Sequence, residues 1–231
     1  MKLLRETFTI KEIPKTSWSS EDSYNLKPKP TTFIFLVFGL FLFGLGESLL
    51  ITSGAGVRPY TVLAQGISNL TDWSLGFSTF VISIFVLLLW IPLKQKPGMG
   101  TILNAFIIAL TIEFSVFYLP YPQTYFLQVL QVVIGVLIIG LGSGFYLICN
   151  LGAGPRDGLM IGLQKVTNMR IYSIRTIIEI SVVVIGSVCL LNNIDKLLGE
   201  VVGLGTMIFA LGIGPSVALG ISLVDRLSKQ T

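Results

Sequence analysis

Apolar residues gather into six runs of near-bilayer length, at 33–53, 76–93, 101–119, 125–148, 173–192 and 203–223. An 18-residue helix at 1.5 Å per residue covers about 27 Å, close to the ~30 Å hydrocarbon core of a membrane. Pro97-Gly98 breaks the pattern between the second and third runs, and Pro120 and Pro122 break it between the third and fourth. Trp73 and Trp90 flank the second run, where interfacial aromatics belong. Two further stretches, 57–71 and 155–168, each follow a glycine-rich break and are too short and too mildly apolar to cross alone. They predict short re-entrant or interfacial helices. The expected fold is therefore all-α, a polytopic transmembrane helical bundle with six spans.

Polar residues set the expected topology. Residues 1–32 are polar and contain no apolar core of a cleavable signal, so they read as a cytoplasmic tail. Lys2, Arg5, Lys11, Lys15, Lys27 and Lys29 hold that tail inside. Lys94 and Lys96 then fall inside, the uncharged Pro-Tyr-Pro-Gln turn outside, and Lys165, Arg170 and Arg175 inside. The C-terminal tail, 224–231, carries Arg226 and Lys229 and is also inside, leaving only Arg58 and Lys196 outside. Were the two short helices to cross fully, Lys94 and Lys96 would move outside. Six spans with both termini cytoplasmic fit better.

The halves resemble each other. GLGESLLITSGAGVR at 44–58 aligns without gaps on GSGFYLICNLGAGPR at 142–156. Gly66 and Thr71 then match Gly162 and Thr167 after a two-residue gap, and GMGT at 98–101 matches GLGT at 203–206. Each half reads as span, GAGxR break, short helix, span, GxGT, span. Repeat one is 33–119 and repeat two 125–223. Three spans is an odd number, so the second copy inserts upside down, giving two inverted three-span repeats.

Composition narrows the function. Of 231 residues 52% are apolar and 12% charged, with a mean hydropathy of +0.81, which excludes secreted disulfide scaffolds, collagen-like chains and disordered chains. The net charge of +4 suits an anionic inner leaflet, with membrane lipid as a partner, rather than nucleic acid. No histidine is present, which removes imidazole catalysis and His-based metal sites. Cys149 and Cys189 lie in apolar runs and read as two buried thiols. No cofactor motif, metal site or catalytic constellation stands out, and the chain is expected not to be an enzyme.

The candidate site is the pair of breaks. Gly54 and Gly56 precede Arg58, and Gly152 and Gly154 precede Arg156. Glycine permits a sharp break, and the helix that follows offers unpaired N–H groups at its positive end. With an arginine beside it, that end suits a carboxylate or phosphate. The plainer reading makes the glycines packing contacts and the arginines lipid-phosphate ligands. Asp157 either caps the second short helix or pairs with Arg156. Glu47 sits mid-span without a local partner, so it pairs with an arginine of a break or carries a coupling proton. Glu179 lies four residues after Arg175, on one helix face, where the two neutralise each other. Asn104, Thr101, Thr206, Thr52 and Asn150 are polar liners or interhelical hydrogen-bond formers.

These stretches resemble a known family. LGAGPRDGLMIGL at 151–163, GAGVRPYTVLAQGIS at 54–68, LLLWIPLKQKPGMGTILN at 87–104 and VGLGTMIFALGIGP at 202–215 look like the YczE family of bacterial integral membrane proteins, itself similar to the YitT/YyaS-type membrane proteins. The first copy departs from the family pattern, with GAGVRPYTV where an acidic or Trp-Asp type continuation is expected after the proline. The resemblance implies a multi-pass protein of the bacterial plasma membrane, not a substrate. The expected function is a transporter or exporter of a small anionic organic molecule, with a homodimer as an admitted assembly. The alternative is an accessory or regulatory membrane protein that docks a partner or lipid through its polar tail.

Overall fold

The structure is a computed structural model, and it describes residues 13–193 and 201–229. Lys2, Arg5, Lys11 and Lys196 of the expected topology lie outside the described residues. Within them the chain forms eight α-helices and no strand: α1 (Pro30–Ser53), α2 (Pro59–Thr71), α3 (Leu75–Trp90), α4 (Met99–Ser115), α5 (Tyr125–Ile148), α6 (Pro155–Thr167), α7 (Ile171–Cys189) and α8 (Leu204–Lys229), with a 3-10 turn at Leu191–Asn193. Local chemistry sets the boundaries. Proline occupies the first turn of α1, α2 and α6, where its missing N–H costs nothing. Left-handed residues end α1 (Gly54, φ 67°), α2 (Asp72, φ 57°) and α6 (Asn168, φ 55°). Ser74 caps α3 by accepting from Phe77 N.

Helices α1, α5 and α8, of 24, 24 and 26 residues, are long and apolar enough to cross a membrane. Helices α2 and α3 pass that test only together, bent by 114° at their junction. The expected runs reappear as helices with ends moved by a few residues. The tails differ more. Helix α8 continues to Lys229 through the region read as a C-terminal tail, supported by the Lys229–Asp225 pair at 2.6 Å.

The tail ahead of α1 is docked. Trp18 is buried, and its Nε1 donates to Ser228 Oγ at 3.0 Å on α8. Ser20 N donates to Cys149 O at 3.0 Å, and Asn150 Nδ2 donates to Ser20 O at 2.9 Å. This segment closes one end of the bundle over Leu36, Ile148 and Val224.

Glycine governs the centre. Helices α1 and α5 run antiparallel and touch backbone to backbone at Gly39 with Gly142 and at Gly46 with Gly135. Gly44 lies against Thr111 of α4, and Gly140 against Ser216 of α8. Helix α2 packs on α7 through Gly66 and Gly186, while α6 packs on α3 through Gly158 and the Trp90 ring.

The two halves also exchange their loops. Gly205 N donates to Ala55 O at 2.7 Å, and Gly100 N donates to Leu151 O at 2.7 Å. A methyl at Gly56 would meet Thr206 Oγ1 at 2.8 Å, and one at Gly152 would meet Thr101 Oγ1 at 2.7 Å. Each GxGT turn thus seats on the glycine break of the opposite half. Equivalent positions from α1 to α3 lie 96 residues apart: Pro59 and Pro155 open α2 and α6, Gly56 (φ 116°) matches Gly152 (φ 109°), and Gly54 (φ 67°) matches Asn150 (φ 50°). The GAGxR alignment is two residues longer than this. By position in the fold, Arg58 corresponds to Gly154 and not to Arg156.

Candidate functional site

Both breaks contribute to one cavity of about 320 Å³. Helix α1 supplies Phe43 and Glu47, and the first break supplies Arg58 and Tyr60. Helix α3 supplies Thr79 and Ser83, and α4 supplies Asn104 and Ile108. The second half supplies Ser143 and Tyr146 from α5, Gly154 through Asp157 at the start of α6, Arg175 from α7 and Phe209 and Ile213 from α8. Many liners are positional equivalents, including Glu47 with Ser143, Tyr60 with Arg156 and Thr79 with Arg175. The cavity therefore lies where the halves meet, but its chemistry differs between them.

Two ion-paired groups hold the charge. Arg58 Nη1 donates to Glu47 Oε1, and these side chains are 11% and 3% exposed. The Arg58 guanidinium lies over the Phe43 and Tyr60 rings, 5.4 and 5.5 Å from their centroids. Glu179 Oε1 accepts from Arg156 Nη2 and from Arg175 Nε, the latter at 3.2 Å. The structure thus pairs Glu47 with the arginine of the first break, and adds Arg156 to the Arg175–Glu179 pair. Asp157 forms neither of its expected contacts: α6 has no side-chain cap, and Asp157 has no ion pair among the described residues.

Of the four break glycines only Gly154 lines the cavity. Gly54 ends α1, and Gly56 and Gly152 hold the seats of the GxGT turns. The N–H after Gly56 is also committed, since Val57 N donates to Val201 O at 3.0 Å, and Pro155 follows Gly154 with no N–H at all. Glycine here shapes the breaks, while side chains make the site.

Sequence reasoning missed the two tyrosines. Tyr60 Oη, Tyr146 Oη and Arg58 Nε are buried in the cavity wall and make no well-formed hydrogen bond, with Ser83 beside Tyr60 Oη and the Gly154 backbone beside Tyr146 Oη. Buried polar atoms are nearly always satisfied, so these three leave hydrogen-bonding capacity open at the cavity wall. A phenol at Tyr146, in the last turn of a strongly apolar run, was the available signal.

The family described as "Family of unknown function (DUF6198)" matches residues 30–221. An uncharacterized protein of Haemophilus influenzae is 41% identical over 94% of this chain and 95% of its own. The uncharacterized membrane protein YczE of Bacillus subtilis is 29% identical over 64% of this chain and 70% of its own, and YyaS of the same organism is 27% identical over 63% and 75%. No solved structure matches. The resemblance to YczE-type proteins holds, and with the long apolar helices it makes the chain a membrane protein.

Proposed function

Because the chain belongs to the DUF6198 family, whose function is unknown, we propose its function from the cavity: it transports a small organic molecule bearing an anionic group across the bacterial plasma membrane. The carrying observation is the cluster of three buried polar atoms without a well-formed hydrogen bond, Arg58 Nε, Tyr60 Oη and Tyr146 Oη, around one cavity. An oxyanion accepts from Arg58 Nε and Tyr60 Oη, while Tyr146 Oη, which can donate or accept, meets the ligand's other polar group. Glu47 fixes the Arg58 guanidinium and is the candidate coupling carboxylate.

In this reading α1, α3, α4, α5, α7 and α8 are six spans, α2 and α6 are re-entrant, and both termini are cytoplasmic. Helices α3, α4 and α7 reach about 24–29 Å at 1.5 Å per residue, within the tolerance of a bilayer. The halves form two inverted repeats, supported by the antiparallel glycine crossing and the exchanged GxGT turns. Transport follows from their unequal packing. Helix α3 lies on α4, with Gly76 N donating to Glu113 Oε2 at 3.1 Å and the Phe80 and Phe106 rings 5.9 Å apart. Helix α7 has no such bond to α8 among the described residues, and at the position matching Ala109 a methyl on Gly214 would meet nothing within 4 Å. Exchanging the two arrangements opens the cavity to the other side.

The accessory-protein alternative rests on the 32-residue polar tail as a docking segment, and residues 13–29 of that tail pack on the helix ends. The test is a thermal-unfolding screen of the detergent-purified chain against metabolite carboxylates and phosphates, followed by uptake of any stabilising compound into proteoliposomes. Uptake that is lost in Tyr60→Phe/Tyr146→Phe supports the reading. Stabilisation without uptake leaves a binding protein and ends the transport reading.

A further inference from the structure

The cavity's charges are balanced before any ligand enters. Arg58, Arg156 and Arg175 line it together with Glu47 and Asp157, and Glu179, behind the lining, pairs with both Arg156 and Arg175. A ligand with net charge would leave a surplus charge in a low-dielectric site, whereas one with separated and opposite charges would not.

Two polar ends are open for such a ligand. At the first break, the Arg58 Nε and Tyr60 Oη atoms are buried without a well-formed hydrogen bond, and both donate. At the second, three groups ring the empty side of Gly154. Tyr146 Oη, Asn104 Nδ2 and Asp157 Oδ2 lie 3.4, 3.5 and 3.6 Å from where its Cβ would stand. Tyr146 Oη is buried without a well-formed hydrogen bond, and neither the Asn104 nor the Asp157 side chain has a hydrogen bond among the described residues. An ammonium has three donors, and this ring holds three acceptors when the Asn104 amide presents its oxygen. At about 320 Å³ the cavity has room for a molecule the size of an amino acid.

We propose that the transported molecule is a small zwitterion, bound by its ammonium at Asp157, Tyr146 and Asn104 and by its oxyanion at Arg58 Nε and Tyr60. This rests on the cavity being the substrate site. It adds the ammonium end, and with it a role for Asp157 that an anion alone does not need.

The full chain, purified in detergent, is melted with each proteinogenic amino acid and with 4-aminobutyrate. Each is compared with its deaminated acid and its decarboxylated amine. The expected result is a rise in melting temperature of several degrees with at least one zwitterion and little with either analogue. Asp157→Asn, at an exposed residue, folds normally and loses that rise, and Tyr60→Phe reduces it. Equal stabilisation by the deaminated acid that survives Asp157→Asn overturns the ammonium end while leaving the anion site standing. A zwitterion effect untouched by both variants overturns the site itself. Silence across the amino acids overturns the proposal.

Discussion

Arg58 and Glu47 form an ion pair across the break between α1 and α2, with the carboxylate only 3% exposed. Arg58→Ala leaves that carboxylate buried and uncompensated, and Glu47→Ala leaves the guanidinium so. Each single change is expected to cost about 3–5 kcal/mol, while the double variant costs less than the sum. Thermal unfolding of the four proteins closes the cycle. Strict additivity would mean that the pair contributes no coupling.

The pair also shows how far the residues were legible. A mid-span glutamate without a neighbour within a helical turn points to a partner from elsewhere, and the arginines of the breaks were the few available cations. The helices and both breaks follow from hydropathy and glycine placement in the same direct way. The register between the halves does not. Two breaks spelled GAGxR align at first sight, but Asn150 takes the left-handed position that Gly54 holds in the first break. Asparagine tolerates that conformation well enough to replace glycine there. The substitution hides a two-residue shift, and with it the fact that Tyr60, rather than Arg58, stands opposite Arg156. Tyr60 and Tyr146 escaped notice because a tyrosine in an apolar run reads as packing until its hydroxyl is found without a well-formed hydrogen bond.

The α1–α5 crossing depends on bare backbone. A methyl at Gly46 would lie 2.7 Å from Gly135 O, and one at Gly142 would lie 2.6 Å from Gly39 O. Gly46→Ala and Gly142→Ala should each destabilise by about 1–3 kcal/mol as the helices separate. Gly212→Ala is the control, because its methyl would rest at an ordinary 3.4 Å from Val136 Cγ1. That variant should be neutral or gain up to about 1 kcal/mol from helix propensity. Equal losses at all three positions would show that close approach is not what the crossing glycines supply.

Trp18 anchors the polar segment to the bundle. Trp18→Ala is expected to cost about 3–5 kcal/mol, through lost burial and a lost bond to Ser228. Ser228→Ala should cost about 1 kcal/mol. Removing residues 1–30 should therefore lower the melting temperature of the whole chain. An unchanged melting temperature would mean that the segment only rests on the surface.

Topology is tested by reporters that work on one side of the membrane. A fusion of green fluorescent protein after Lys229 should fluoresce, which requires a cytoplasmic C-terminus. A periplasmic phosphatase fused at Gln123, between α4 and α5, should be active, and one fused at Gln95, between α3 and α4, inactive. Activity at Gln95 would make α2 a full crossing and reverse every later span.

The exchange of closed and open helix pairs is the strongest demand on the transport reading. Phe80 and Phe106 hold α3 on α4, and their positional equivalents in the second half are Thr176 and Leu211, the latter 80% exposed. In membranes, Phe80→Cys/Phe106→Cys should cross-link quickly with a short bis-thiol reagent. Thr176→Cys/Leu211→Cys should cross-link slowly, as the chain visits the mirrored arrangement. The reciprocal experiment carries the weight. If closure alternates, locking the first pair in a four-cysteine chain holds α3 on α4 and abolishes the second cross-link, because both pairs cannot be closed while the cavity opens to the other side. If the second cross-link forms at the same rate with the first pair locked, the two halves move independently. The cavity would then be a fixed binding site rather than a passage.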